Sequence, residues 1–438
     1  MSPDFRGILL ASFLVAASHA AAVPLRVVVI GDSLTEEYAF EVPFSAPDSN
    51  PAVANARNWP ELLSAHRPAD VTFGSYNSAY FSYPDLRNGG YKTNYGVPSF
   101  TTGDWVAVIQ SSFLDTFSSD PVVALRYPTR LALVRHLQEE ADVAVIFLGG
   151  NDLKRNYTGV FHDTNPPALL AQATANLTII HDFVRATAPA LPIVIATSPD
   201  IGATPEVASK YNDPARLVIA RQRVAAMNAA TEAMATGRGA TVARVHLLTD
   251  QVFDEHPFHL NGTVFSMVPD PANPPHAAFC KDGFHPNTSA QALIADILID
   301  AINRATARAI PRLTNREILG TVLGLNPDQP YLDWSGAAGG MNDDPDHDGL
   351  PNLTEFLLGT APDHPSAPFS FNSGTILTIP LSPAGMRFAT PVVEESPALA
   401  NWQPVPASRV QLQPNGTWHV SPGPSGRQFY RLAATPRP

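Results

Sequence analysis

Apolar and polar positions alternate along the chain in two distinct rhythms. Short continuous apolar runs at Arg26–Ile30, Asp70–Phe73, Val143–Leu148, Pro192–Thr197 and Thr241–Leu247 read as buried strands. Between them the spacing becomes helical. A short helix opens at Asn58 with Pro60 in its first turn, and Pro121–Glu140 keeps helical spacing through Leu125, Leu131, Leu133 and Leu137. Pro167–Thr187, Pro214–Ala235 and Ser289–Arg308 follow as further helices. Regular alternation of β and α predicts a three-layer α/β/α fold with a mostly parallel sheet over residues 23–310.

The rhythm changes after residue 310. Residues 311–365 hold a short helical piece, Thr314–Leu323, then Tyr331–Trp334, a Gly-rich link and an acidic loop. Residues 366–438 carry short β-type runs cut by Pro, Gly and Asn, which predicts a small β-rich module. At the other end, residues 1–22 read as a signal peptide. Arg6 supplies the positive charge, Gly7–Ala17 the short apolar core, and Ser18–Ala22 the small residues for cleavage. That core is too short for an ordinary membrane span, and no later stretch is long and apolar enough. The expectation is a secreted or periplasmic protein.

Composition narrows the partners. A net charge of -12 argues against nucleic acid and anionic membrane. Cys280 is the single cysteine, so an exported chain must be held by packing and by metal rather than by an intrachain disulfide.

The first strand stops at Gly31-Asp32-Ser33, which by itself is ordinary turn chemistry. A serine becomes a nucleophile only with a base in reach, a group orienting that base, and donors for the oxyanion. Candidates for each occur further on. The strand Val143–Leu148 ends in Gly149-Gly150-Asn151-Asp152. Asn94–Thr102 is a small-residue turn able to present an N–H. Asp282 and His285 stand just before the last helix. Lys154 and Arg155 are placed to contact substrate or solvent, and aromatics between Tyr76 and Trp105 to line a cleft or pack loops. Asp254, Glu255, His256 and His259 lack a zinc-protease spacing, and Pro257 breaks the helix such a site needs.

These blocks, in this order, resemble the SGNH (GDSL) hydrolases, whose fold is flavodoxin-like. The resemblance implies a triad of Ser33, His285 and Asp282, with Asn151 as an oxyanion donor and no cofactor for catalysis. It also implies a second backbone donor in the central block. There Ser99 stands where the family has Gly, leaving Gly96 and Gly103 as neighbouring alternatives. The expected activity is hydrolysis of O-acyl esters, acetyl esters on carbohydrate first. A short-chain lipid esterase or thioesterase is the alternative, as is a non-catalytic binding protein on a hydrolase fold.

The acidic loop Asp344–Glu355 has its own logic. Counted from Asp344, carboxylates fall at positions 1, 3 and 5 (Asp344, Asp346, Asp348) and Gly349 at 6. Leu350 offers a carbonyl at 7, Asn352 stands at 9 and Glu355 at 12. That is a calcium spacing. It resembles the single loops of dockerin-like and thrombospondin type 3-like modules, which implies a structural Ca2+. For the tail, attachment to a cell surface or polysaccharide and simple spacing are both open.

Overall fold

The computed structural model describes residues 23–40, 55–87, 89–164, 166–254, 258–367, 369–372, 376–423 and 428–438. The signal-peptide expectation, on residues 1–22, lies outside them.

The sheet is built around β1 (Leu25–Gly31), which is buried at every position but Arg26. On one side β1 pairs with β2 (Val71–Thr72) at its start and β3 (Asn94–Gly96) at its end. On the other it pairs with β4 (Val143–Phe147), followed by β5 (Ile193–Ala196) and β6 (Thr241–Ala243). Every pairing is parallel, as crossover helices require. The period of two divides the strands between two cores. Val27, Val29, Val145 and Val194 face α1 (Trp59–His66) and the last long helix. Val28, Ile30, Ile146 and Ile195 face α2 (Thr102–Ile109), α3 (Pro121–Glu139) and α5 (Pro166–Thr187). Between them in sequence, α4 (Gly150–Phe161) leaves the end of β4 directly. The fold is the three-layer α/β/α arrangement with a parallel sheet.

Two local expectations change. The run Thr241–Leu247 stays extended only to Ala243. The Leu247 amide then donates to the Arg244 carbonyl and the His246 amide to Thr197 Oγ1, and a helix runs His246–Asp254. Asn94–Thr102 is not turn throughout, because its first three residues form β3.

Residues past 310 divide by packing. Leu313, Ile318 and Leu319 belong to the first core, and Arg67 binds Glu317 through both carboxylate oxygens at 2.8 and 2.7 Å. From Tyr331 onward a separate core forms around Phe356, Leu357, Phe388, Val393 and Leu432. Two antiparallel sheets cover it. One joins Ser370–Asn372, Ile376–Pro380, Thr417–Val420 and Val410–Leu412, and the other Gln403–Pro404, Ala389–Ser396 and Phe429–Pro436. The chain end returns to the first body, where the Asn261 side-chain amide donates to the Arg437 carbonyl at 3.1 Å. Among the described residues no helix is long and apolar enough to cross a membrane.

Candidate active site

The buried strand β1 ends where it does because Asp32 winds the next residues into a tight turn. Its carbonyl accepts from the Thr35 and Glu36 amides at 3.0 and 2.9 Å, and its Oδ1 accepts from the Leu34 amide at 3.0 Å. Ser33 sits on this turn at the carboxyl end of the sheet, where open α/β sheets place their ligands. Burial pushes the Asp32 carboxyl up to about 7.

The base arrives on the turn before α6 (Thr288–Thr306). The Cys280 amide donates to the His285 carbonyl and the Gly283 amide to the Cys280 carbonyl, both at 2.8 Å. Gly283 takes a φ of +68° with Pro269 packed against it, so a side chain there is strained by conformation and by space. Asp282 Oδ1 accepts from the Phe284 and His285 amides, and its Oδ2 lies 2.6 Å from His285 Nδ1. Burial draws the Asp282 carboxyl upward, but the bonds from the His285 ring and these amides outweigh it and hold the group below the usual range. With Nδ1 on a carboxylate, Nε2 is the ring nitrogen presented to the serine. It stands 2.8 Å from Ser33 Oγ. Tyr38, on the segment after Ser33, meets the His285 ring edge-on and donates to the Pro286 carbonyl.

Asn151 opens α4, and its Nδ2 faces two acceptors, the Phe100 carbonyl at 3.1 Å and Asp32 Oδ2 at 3.4 Å. The second bond is long, which leaves one N–H weakly held. Ser99 is the third residue of the turn Val97-Pro98-Ser99-Phe100, closed by the Phe100 amide on the Val97 carbonyl. Proline suits the second place of both type I and type II turns, and only type II needs a left-handed third residue. Ser99 meets that demand at φ +63°, at a cost of roughly 1 kcal/mol relative to glycine.

What holds Ser99 there was not legible in the sequence. The Arg155 guanidinium donates to the Ser99 carbonyl at 2.7 Å and reaches Asp104, the capping acid of α2, at 3.2 Å. Arg155 stands four residues after Asn151 on α4, so both side chains leave the same helix face toward one loop. That signal becomes readable only once the Gly-Asn-Asp block is recognised as a helix start. Lys154 turns the other way, with its ammonium 3.5 Å from the Phe284 ring centre and 3.2 Å from Glu206. Asp152 ties α4 to α2, accepting from the Thr102 amide and hydroxyl at 2.9 and 2.6 Å.

An apolar cavity opens beside Ser33, with Asp32, Gly150 and Asn151 also on its wall.

In the C-terminal body, Asp344, Asp346 and Asp348 bring carboxylate oxygens within 4.8 Å of one another. Gly349 makes the sharp turn at φ +89°. Glu355 lies in the first turn of the helix Asn352–Leu358 and is fully buried, with Oε2 unbonded. Asp344 Oδ1 and Asp346 Oδ2 are likewise buried without partners. Burial, and then the three aspartates, push Glu355 up to about 7. Oxygen donors around an uncompensated negative cluster fit a hard divalent cation such as calcium. Asn352 sends its amide nitrogen to the Ala338 and Gly340 carbonyls at 3.0 Å, leaving Oδ1 unbonded. Of the His-rich segment weighed above as a metal site, Glu255 and His256 lie outside the described residues.

The sheet and the serine–histidine–aspartate relay together define a serine hydrolase of SGNH type. A profile of the GDSL-like lipase/acylhydrolase family matches residues 27–298, and the chain belongs to that family. No curated protein matches the chain. Among solved structures it is similar to an extracellular lipase from Streptomyces rimosus, with 17% identity, a TM-score of 0.34, and 63% of this chain and 99% of that one covered. A carbohydrate acetylesterase from Sinorhizobium meliloti gives 12%, 0.34, 64% and 99%. A family 3 carbohydrate esterase of Clostridium thermocellum gives 16%, 0.30, 65% and 98%. These likenesses carry no argument about substrate.

Proposed function

We propose that this chain is an exported serine esterase that cleaves O-acyl esters carried on carbohydrate, with a calcium-held C-terminal extension. The observation that supports it most is the continuous relay from Ser33 through His285 to Asp282. His285 Nε2 takes the hydroxyl proton as Ser33 Oγ bonds to the ester carbonyl carbon. It returns that proton to the departing alcohol, leaving an acyl-serine. Water then attacks, giving its proton to Nε2, and the acid leaves as Ser33 regains a proton. Negative charge on the carbonyl oxygen is met by the Ser33 and Ser99 amides and by the Asn151 amide, turned from its long bond to Asp32.

For the acyl group, acetate is the expectation from the sequence, and it would fill only the mouth of the cavity beside Ser33. The apolar wall favours a longer chain. In the extension, Asp344, Asp346, Asp348, the Leu350 carbonyl, Asn352 and Glu355 would hold Ca2+, whose role is to neutralise the cluster and stiffen the loop.

The test is direct. Ser33→Ala and His285→Ala should each lower kcat on a p-nitrophenyl ester by roughly a thousandfold or more. Far-ultraviolet circular dichroism should stay unchanged, and a serine-directed phosphonate should label Ser33. Full turnover in Ser33→Ala would remove the reading.

A further inference from the structure

The cavity beside Ser33 is narrow, with a volume of about 80 Å³. That is room for a file of water-sized groups, at roughly 10–15 Å³ each. Apart from the Ser33 and Asn151 turns, its wall draws on Ile201 after β5, Val245 and Leu248 after β6, Phe279 and Phe284 around the triad turn, and Leu293 on α6. On α6 the lining residues are Ala290, Leu293 and Ile294, the stripe a helix presents to one neighbour.

Apart from Asp32, Ser33 and Asn151, the polar side chains on this wall bond within the protein. Asp200 Oδ1 accepts from the Gly202 amide at 2.9 Å. The Thr204 hydroxyl donates to the Ile201 carbonyl, and the Thr249 hydroxyl to the His246 carbonyl, both at 2.7 Å. A sugar entering here would lose water from its hydroxyls and find few groups to replace it, which is costly. A hydrocarbon chain would lose nothing.

We infer that this cavity is the acyl site, and that it takes an unbranched, medium-length alkyl chain joined to the ester carbon that Ser33 attacks. The inference rests on the serine-esterase reading above and deepens it. The polar alcohol half of the ester then stays outside, toward solvent. Each methylene that enters is withdrawn from water, which favours the longer chain until the cavity is full.

Two substrate series test this on the full chain. In the first, p-nitrophenyl esters run from acetate through butyrate and hexanoate to decanoate. The expected result is a rise in kcat/KM of up to about fourfold per methylene, the equivalent of about 0.8 kcal/mol, ending in a sharp break. In the second, acetate esters of lengthening alcohols should give a flat profile. Ala290→Leu, which fills the stripe, should lower the octanoate-to-acetate ratio of kcat/KM at least tenfold. Leu293→Ala should move the break to longer acids. If Ala290→Leu does not fold, the wild-type series and Leu293→Ala still decide. A flat or falling acyl series with acetate still hydrolysed would overturn the acyl site and leave the esterase intact, as would a rise confined to the alcohol series. Hydrolysis of no ester, with Ser33 unlabelled by phosphonate, would instead overturn the esterase reading itself.

Discussion

The two bodies of this molecule bury carboxylates in opposite ways. In the catalytic body Asp32 and Glu37 are buried and Glu61 half-buried around the turn that carries Ser33, and each is bonded by backbone amides. Leu34 donates to Asp32, Tyr91 to Glu37, and Asn58 and Tyr38 to Glu61. Burial pushes them up to about 7, 8 and 7, so they reach neutrality by keeping a proton. In the C-terminal body Asp344 and Asp346 leave oxygens buried and unbonded in one cluster with Asp348, and Glu355 leaves another buried and unbonded under their charge. A proton on one group cannot satisfy all of them, whereas a divalent cation can. Both regions should therefore respond to pH, since Glu355 is also pushed up to about 7, but only the second to chelation.

If the catalytic body's polar groups serve chemistry and the loop's serve stability, each half should fail in its own way. Asn151→Ala is the strongest remaining test of the first half. It should cost about 3 kcal/mol of transition-state stabilisation, on the order of a hundredfold in kcat with KM little changed. A change confined to KM would make Asn151 a substrate contact.

Chelation tests the second half. Calcium at a hundred times its Kd should add about 2.7 kcal/mol to the stability of the body that binds it. EDTA should lower the melting temperature of the C-terminal transition, with calcium restoring it better than magnesium does, while small-ester turnover barely moves. Identical calorimetric traces with calcium and with EDTA would reduce the loop to a solvated turn.

The proton arm is smaller. Asp32, Glu37 and Glu61 keep their protons to higher pH when folded than when unfolded. The folded state thus binds more protons between about pH 4 and 8, and stability falls as pH climbs through that window and levels off above it. The catalytic transition should melt roughly 5 °C lower at pH 9 than at pH 6. Glu37→Gln, which keeps the acceptor for the Tyr91 amide, should flatten the curve. An unchanged slope would clear Glu37 of the effect.

The smallest expected effect concerns Arg155, a positioning residue. Arg155→Ala should lower kcat by about tenfold through a loosened Ser99, leave KM alone, and be partly rescued by Arg155→Lys. The same loss in a Ser99→Gly background would equally support a carbonyl clamp. A loss appearing in KM would point to substrate contact instead.

The parallel sheet was legible because its strands are buried on both faces and read as unbroken apolar runs. Ser33, Asn151, Asp282 and His285 were legible because each sits in a short motif whose chemistry is local. What escaped depends on contacts across the chain. Arg155 matters only because α4 aims it at a turn more than fifty residues upstream, |i−j| being 56. The cavity has no motif, because its wall is assembled from segments scattered between Asp32 and Ile294. The end of β6 was misplaced because Val245 and Leu247 continue an apolar pattern that the chain breaks by turning, and helix and strand share such patterns over a few residues.

The triad itself joins a near partnership to a distant one. Asp282 and His285 are three positions apart and bonded within one turn, whereas Ser33 lies 252 positions from the histidine it serves. In folding terms the acid–base pair has low contact order and can form while most of the chain is still disordered. The nucleophile joins it only when the first strand and the final helix meet, among the last and entropically costliest closures. Turnover therefore reports completion of the whole α/β body. A nascent chain still missing α6, or one cut within the intervening sheet before folding, would hold the nucleophile or its base but not the working pair, so hydrolysis would begin only after synthesis of the body is finished.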